Sequence, residues 1–283
     1  MSSVASQEAE PGTPHSDAPD RAAESAPFDT AIPHPARIYN YWLGGRDNYE
    51  ADRVAAEQVI ATQPSILATV RANRAFLRRA VQYLAGEAGI WQFLDIGTGL
   101  PTADNTHEVA QSIAPRSRIV YVDNDPIVLA HARALLSSTA DGVTAYIQAD
   151  ARDTEEILRG AAQTLDFGQP VAIMMLGVLH YIPDADSPHQ IVSRLMDAVA
   201  SGSHLAISEA TRDIDRQSIT ESAARFNAQR VAAQFTPRTR AEIARYFTGL
   251  DLIDPGLVPL PQWRALADPA EQIPAYAGVG RKP

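Results

Sequence analysis

Five short apolar runs, each closing on glycine or an acid and each separated from the next by a helical pattern, constrain this chain more than any other feature. Gln92–Ile96 leads into Gly97-Thr98-Gly99, residues 118–122 into Asp123-Asn124-Asp125-Pro126, and residues 144–148 into Asp150. Residues 171–176 are wholly apolar and are followed by Gly177, His180 and Tyr181, and residues 204–208 are followed by Glu209. Strands alternating with crossover helices predict an α/β fold with a doubly wound parallel sheet, because right-handed crossovers place helices on both faces. The end of the chain differs. Residues 250–253 and 276–279 are strand candidates joined by a Pro-rich loop, as in an antiparallel edge hairpin.

Helical periodicity appears at residues 54–60 and 66–84 and over Thr106–Ile113. In the second of these, Leu67, Val70, Leu77, Val81 and Leu84 recur near helical spacing, with Arg71, Arg74, Arg78 and Arg79 between them. The arginines read as a solvated face, the alternative being a hold on an anionic ligand group. Asp125 followed by Pro126 is a good N-cap and first helical residue, which predicts a helix over residues 126–137. Residues 226–235 read as a helix that could cover a ligand.

Residues 1–29 carry six acids against one base and almost no large apolar side chain. Such a stretch cannot bury enough surface to offset the entropy of ordering, so it reads as a disordered acidic tail. The formal net charge of the chain is -10, which would repel a phosphate backbone, and nucleic acid is a poor expectation for the partner. There is no cysteine, so disulfides and thiolate chemistry are excluded, and the histidines show no metal-ligand spacing. No apolar run approaches the ~20 residues that span a bilayer. The expectation is a cytoplasmic protein with no membrane partner, and nothing in the sequence sets an oligomeric state.

In an open parallel sheet the ligand sits outside the carboxyl ends of the strands, so the residues just after each strand carry the chemistry. Gly97 and Gly99 let the backbone pass close to a ligand. Asp123 lies where an acid accepts the hydroxyls of a ribose, and Asp150 can accept from an exocyclic amine such as that of adenine. The expected ligand is a nucleoside. A dinucleotide fingerprint needs GxGxxG, and Gly97-Thr98-Gly99-Leu100-Pro101-Thr102 breaks it.

These segments, together with Met175-Leu176-Gly177-Val178-Leu179-His180-Tyr181, resemble the nucleoside-binding motifs of class I S-adenosylmethionine-dependent methyltransferases. The run from Pro35 to Asn48, PARIYNYWLGGRDN, further resembles the opening motif of an actinobacterial methyltransferase family long treated as a domain of unknown function. The resemblance covers the chain from about Ala36 onward. It implies a Rossmann-like, doubly wound, seven-stranded sheet, mostly parallel with an antiparallel edge strand, preceded by a helical lid over residues 30–90. It also implies that Asp95, Gly97, Thr98 and Gly99 meet the methionine part and the ribose. By the same resemblance Asp123 and Asn124 hold the ribose, Asp150 and Ala151 meet the adenine, and Leu176 and Gly177 line the floor near the sulfonium. Tyr39, Tyr41, Gly44, Gly45 and Asn48 become candidates for the lid, the alternative being that Tyr39, Tyr41 and Trp42 are simply packed aromatics.

The expected partner is a small-molecule acceptor, aromatic or heteroaromatic and indole-type among the candidates. His180 and Glu209 are the candidates for a base, with a structural histidine and a strand-end cap as alternatives. Tyr41, Tyr181, Phe226 and Arg230 are candidates for the acceptor wall. Other classes stand beside this one. A non-catalytic module sensing S-adenosylmethionine or S-adenosylhomocysteine would have an acceptor side closed by bulky side chains. A nicotinamide oxidoreductase is disfavoured by the first loop, and a base methyltransferase by the lack of an N/D-P-P-Y/F motif after strand four.

Overall fold

The alternation of side chains along the central strands decides how this domain is layered. The computed structural model describes residues 29–102, 104–135, 138–266 and 272–283. In β1 (Gln92–Ile96), Leu94 and Ile96 point into one hydrophobic cluster while Phe93 points into another, and β2 (Arg118–Asp123), β4 (Ala172–Leu176) and β5 (His204–Ala210) divide their residues in the same way. Successive strand residues face opposite sides, so two buried faces demand near-continuous apolar runs. One face is covered by α6 (Thr154–Ala161) and α7 (Pro188–Asp197), the other by α3 (Ile66–Gly86) and α4 (Thr106–Ile113).

The sheet runs β3-β2-β1-β4-β5-β8-β6, with β3 at Val143–Gln148, β6 at Asp251–Leu252 and β8 at Ala275–Arg281. The first five strands are parallel, and β8 lies antiparallel against β5. The expected width of seven strands is met, but the last position is shared: β6 and the two-residue β7 (Val258–Pro259) both pair with β8. Strand order reverses between β1 and β4, which puts the crevice above Ile96 and Leu176.

Before the sheet come α1 (Pro35–Trp42), α2 (Glu50–Thr62) and α3. Ile38, Trp42, Ala55, Ala56, Val59 and Val70 from these helices bury together with Phe226 of α8 (Arg216–Ala228). Each large apolar side chain fully buried is worth ~1.5–3 kcal/mol, so α1 is packed in place by its own core. It is also tied to the loop after β2. The Arg37 guanidinium, 3% exposed, lies 3.3 Å from Asp125 and 3.6 Å from Asp52, and His34 Nδ1 is 3.2 Å from Asp125.

One sequence expectation changes. The helix expected over residues 226–235 stops at Ala228, and Arg230 turns to a positive φ of 54°. The Asn227 amide then donates to the Phe235 carbonyl and accepts from the Phe235 N–H, at 3.0 and 2.7 Å, closing a loop where helix was expected. The helix after Asp125 is α5 (Pro126–Leu135), with Asp125 Oδ1 accepting from the Ile127 N–H; the expected end at residue 137 lies outside the described residues. The acidic tail likewise lies outside them, apart from Asp29. Among the described residues no helix is long and apolar enough to cross a membrane.

Candidate functional site

A cavity of about 1180 Å³ opens at the carboxyl ends of β1 to β4, and the strand-end residues line it. Asp95, Gly97, Thr98, Gly99, Asp123 and Asn124 contribute from the first two loops. Asp150, Ala151, Leu176 and Gly177 contribute from the next two. The first loop is preset by its own backbone. Gly97 and Gly99 have φ of 73° and 68°, a region that favours glycine, and a Cβ on Gly97 would come within 2.5 Å of Val178. The Gly99 N–H donates to Asp123 Oδ2 at 2.8 Å and the Asp125 N–H to Asp123 Oδ1 at 3.0 Å. Asp123 therefore bridges the two loops, with lone pairs left on both oxygens.

Asp95 is buried and accepts from the Thr106 hydroxyl, the first residue of α4, at 2.6 Å. Burial raises its pKa from 3.8 to about 6, and the Thr106 hydrogen bond and the charge of Arg74 work against that rise. Burial also raises the pKa of Asp123, opposed by its two backbone hydrogen bonds. At the far wall Asp150 Oδ1 accepts from the Arg152 N–H of its own turn at 2.9 Å, and the Asn124 amide approaches Asp150 Oδ2 at 3.5 Å. The roof comes from two segments, His34 to Ala36 and Ala232 with Ala233. One backbone hydrogen bond joins them, from the Ala232 N–H to the Pro33 carbonyl at 2.9 Å.

A second cavity of about 670 Å³ adjoins the first, and its walls are mostly apolar: Trp42, Val59, Val70, Phe226 and Phe235 among them. Four residues line both spaces, namely Tyr39, Asn73, Gly177 and Tyr181. They form the partition. The Tyr39 hydroxyl donates to the Val70 carbonyl and accepts from the Asn73 amide, each at 3.1 Å, and Asn73 Oδ1 accepts from the Ser208 hydroxyl at 2.6 Å. Burial holds the Tyr39 phenol above its ordinary pKa, so it stays a neutral hydroxyl.

His180 lies on a 3-10 turn, Leu179–Tyr181, and lines the second cavity. Its ring packs edge-on against Tyr181 and Phe235, with centroids 4.5 and 5.1 Å away. Its Nδ1 is 3.4 Å from the Ala210 N–H and 3.7 Å from Glu209 Oε2. Glu209 also lines this cavity, yet its carboxylate is engaged from behind: Oε1 accepts from Arg238 at 2.9 Å, and Oε2 has no hydrogen bond and faces His180. It is neither a strand-end cap on the surface nor a free base. Arg238, 1% exposed, also donates to the Leu179 and Ile182 carbonyls and to Asp184, so one guanidinium holds Glu209 and the turn carrying His180 together.

Five sequence candidates, Tyr41, Gly44, Gly45, Asn48 and Arg230, stand outside both cavities. Tyr41 turns outward and donates to the Glu57 carboxylate, because successive residues of α1 cannot share the face that Tyr39 occupies. Gly45 and Asn48 build the turn after α1: a Cβ on Gly45 would collide with the Asn40 amide, and the Asn48 amide donates to Asn40 Oδ1 at 2.9 Å and to the Gly45 carbonyl at 3.0 Å. Arg230 is exposed past the end of α8 and walls nothing.

Other residues were hidden in the sequence. Arg74, read there as part of a solvated face, lines the first cavity near Asp95, and Arg79 caps the carbonyls of Leu260 and Trp263. Asn73 and Arg238 gave no signal beyond residue type.

A family model described as S-adenosyl methyltransferase matches residues 21–283. No curated protein matches the chain. Among solved structures, a DUF574 family protein from Streptomyces avermitilis is 44% identical, with 90% of this chain and 99% of that one covered and a TM-score of 0.87. A candidate methyltransferase from Thermobifida fusca is 41% identical, with 90% and 96% covered and a TM-score of 0.82.

Proposed function

The chain belongs to the S-adenosyl methyltransferase family and is an S-adenosylmethionine-dependent methyltransferase, and from that premise we propose that its acceptor is a small aromatic or heteroaromatic molecule, indole-type among the candidates, taken up in the apolar cavity. The observation that carries this reading is the partition of Tyr39, Asn73, Gly177 and Tyr181, shared by a polar nucleoside-sized cavity and an apolar one. The acidic balance of the chain and the aromatic walls favour such a molecule over a nucleic acid.

The residues of the larger cavity fit the cofactor. Asp95 and Arg74 offer opposite charges to the ammonium and carboxylate of the methionine part. Asp123 accepts from the ribose hydroxyls over the open backbone at Gly99. Asp150 and Asn124 meet the adenine edge, with Ala151 against its face, and Leu176 and Gly177 border the partition. When bound, the cofactor supplies an electrophilic methyl group, and the chain supplies placement. Holding an acceptor in line behind that methyl is worth roughly 7–11 kcal/mol.

His180 takes the acceptor proton where one must leave, a role worth typically ~10²–10⁴-fold. Glu209 stabilises the resulting imidazolium across Nδ1, and Arg238 keeps Glu209 in place. Tyr181 and Phe226 wall the acceptor.

The test is an acceptor screen read by the mass gain of one methyl, followed by His180→Gln and Glu209→Gln. Turnover is expected to fall roughly 10²-fold or more with S-adenosylhomocysteine affinity intact. Turnover within a few-fold of the parent for both variants would reduce catalysis to placement alone and withdraw the base.

A further inference from the structure

Two polar side chains in the wall of the apolar cavity are unaccounted for by methyl transfer itself. Gln63 and Ser222 are each 2% exposed, both line that cavity, and neither side chain has a hydrogen-bond partner among the described residues. Neither lines the cofactor cavity. Most of what surrounds them is hydrocarbon, with Trp42, Val59, Ile66 and Ile219 in the same wall.

The two come from elements in direct contact. Gln63 is the C-cap of α2. Ser218, one turn before Ser222 on α8, donates its hydroxyl to the carbonyl of Thr62 at 2.9 Å and so joins α8 to the end of α2. Ile219, Ser222 and Phe226 follow at helical spacing along the stripe of α8 that faces the cavity. A serine within a helix commonly turns back to the carbonyl four residues earlier, and Ser222 makes no such bond. Buried polar side chains are almost always paired, and the polar atoms of these two keep access to the cavity that they line. A group supplied from the cavity side pairs with both.

The chemistry of that group follows from the donors and acceptors present. A primary amide offers an N–H and a carbonyl side by side, and the group that pairs with both at once is another amide or a lactam. The Ser222 hydroxyl adds a donor or an acceptor. Among the described residues that line this cavity there is no Arg or Lys to receive a carboxylate, and the carboxyl end of α2 places partial negative charge beside Gln63. We propose that Gln63 and Ser222 are specificity-determining residues that recognise an uncharged amide or lactam on the aromatic acceptor. This rests on the reading of the apolar cavity as the acceptor site.

The experiment uses the full chain saturated with S-adenosylhomocysteine and three probes: indole-3-acetamide, its hydrocarbon isostere 3-isobutylindole, and indole-3-acetate. Calorimetry is expected to show the acetamide binding at least tenfold tighter than either of the others. Gln63→Leu should abolish that preference and leave 3-isobutylindole bound as well as before, with S-adenosylhomocysteine affinity unchanged as the sign of an intact fold. Ser222→Ala should reduce the preference about threefold. An amide preference that survives Gln63→Leu, or equal binding of all three probes to the parent, overturns the amide corner while leaving the acceptor cavity standing. Failure of all three to bind the parent overturns the aromatic-acceptor reading, and the proposal falls with it.

Discussion

The two cavities on either side of Tyr39 are built by different means. The larger cavity, proposed above for the cofactor, is made of strand ends: Asp95 and Asp123 lie in the last residues of β1 and β2, Gly97, Gly99 and Gly177 follow β1 and β4 within a few residues, and their positions are held by backbone hydrogen bonds such as those to Asp123. The apolar cavity, proposed above for the acceptor, takes most of its apolar wall from helix faces of α1, α2, α3 and α8 beside the end of β5, with one buried guanidinium, Arg238, holding its charged corner. A strand end is placed by the sheet whatever the side chains do. A helix face is placed only by packing, so the second cavity is the one that sequence change can reshape without touching the first.

The largest effect that could break this contrast is at Arg238. Replacing it with Met leaves Glu209 buried with no counter-charge, and removing one partner of a buried pair costs about 3–5 kcal/mol. Urea melts should show that loss, and Glu209→Gln in the same chain should restore part of it. The contrast predicts that S-adenosylhomocysteine affinity of the folded variant stays within a few-fold of the parent. A collapse of that affinity would mean that the two cavities are not independently held.

Next in size is Asp123→Ala. Hydrogen bonds to a charged group contribute about 1.5–3 kcal/mol each, and this substitution removes those to the ribose as well as the bridge between the first two loops. Calorimetry should show S-adenosylhomocysteine affinity lower by roughly 10²-fold. A loss of less than about threefold would place the ribose elsewhere.

The smallest effect is a pH dependence. Burial raises the Asp95 pKa from 3.8 to about 6, so the ligand-free folded protein holds that proton more tightly than the unfolded chain. The contribution of this group to stability is fully present below pH 3.8 and is lost as pH rises to about 6. Affinity for a ligand ammonium runs the other way, because it needs the carboxylate. S-adenosylhomocysteine binding measured from pH 8 to pH 5 should weaken below about 6, by at most tenfold per unit, and Asp95→Asn should flatten that limb. A profile unchanged by Asp95→Asn would assign the ammonium to another group.

The same contrast governs what could be read in the sequence. Glycines and acids directly after apolar runs announce the cofactor side, since turn chemistry and strand ends are local. Arg74 gave the wrong signal because four arginines on one helix look alike until the sheet fixes which way the helix is rotated. Asn73 and Gln63 carry no motif, and Arg238 meets Glu209 across 29 residues of chain. Tyr41 and Tyr39 are two residues apart in a helix, so a motif that contains both cannot send both to one cavity. The loop before Phe235 reads as helix because nothing in its composition shows that Asn227 closes it.

The roof over the cofactor cavity carries one more consequence. Its two halves meet at a single peptide hydrogen bond, from Ala232 to Pro33, and such a bond contributes only about 0.5–1.5 kcal/mol net. One half precedes α1, which its own hydrophobic cluster anchors, and the other lies in the loop after α8. Parting them also disturbs Val231, which stands beside Ala232 and packs against that same cluster. A step that opens this roof for exchange of the nucleoside therefore works against that packing as well as against the hydrogen bond.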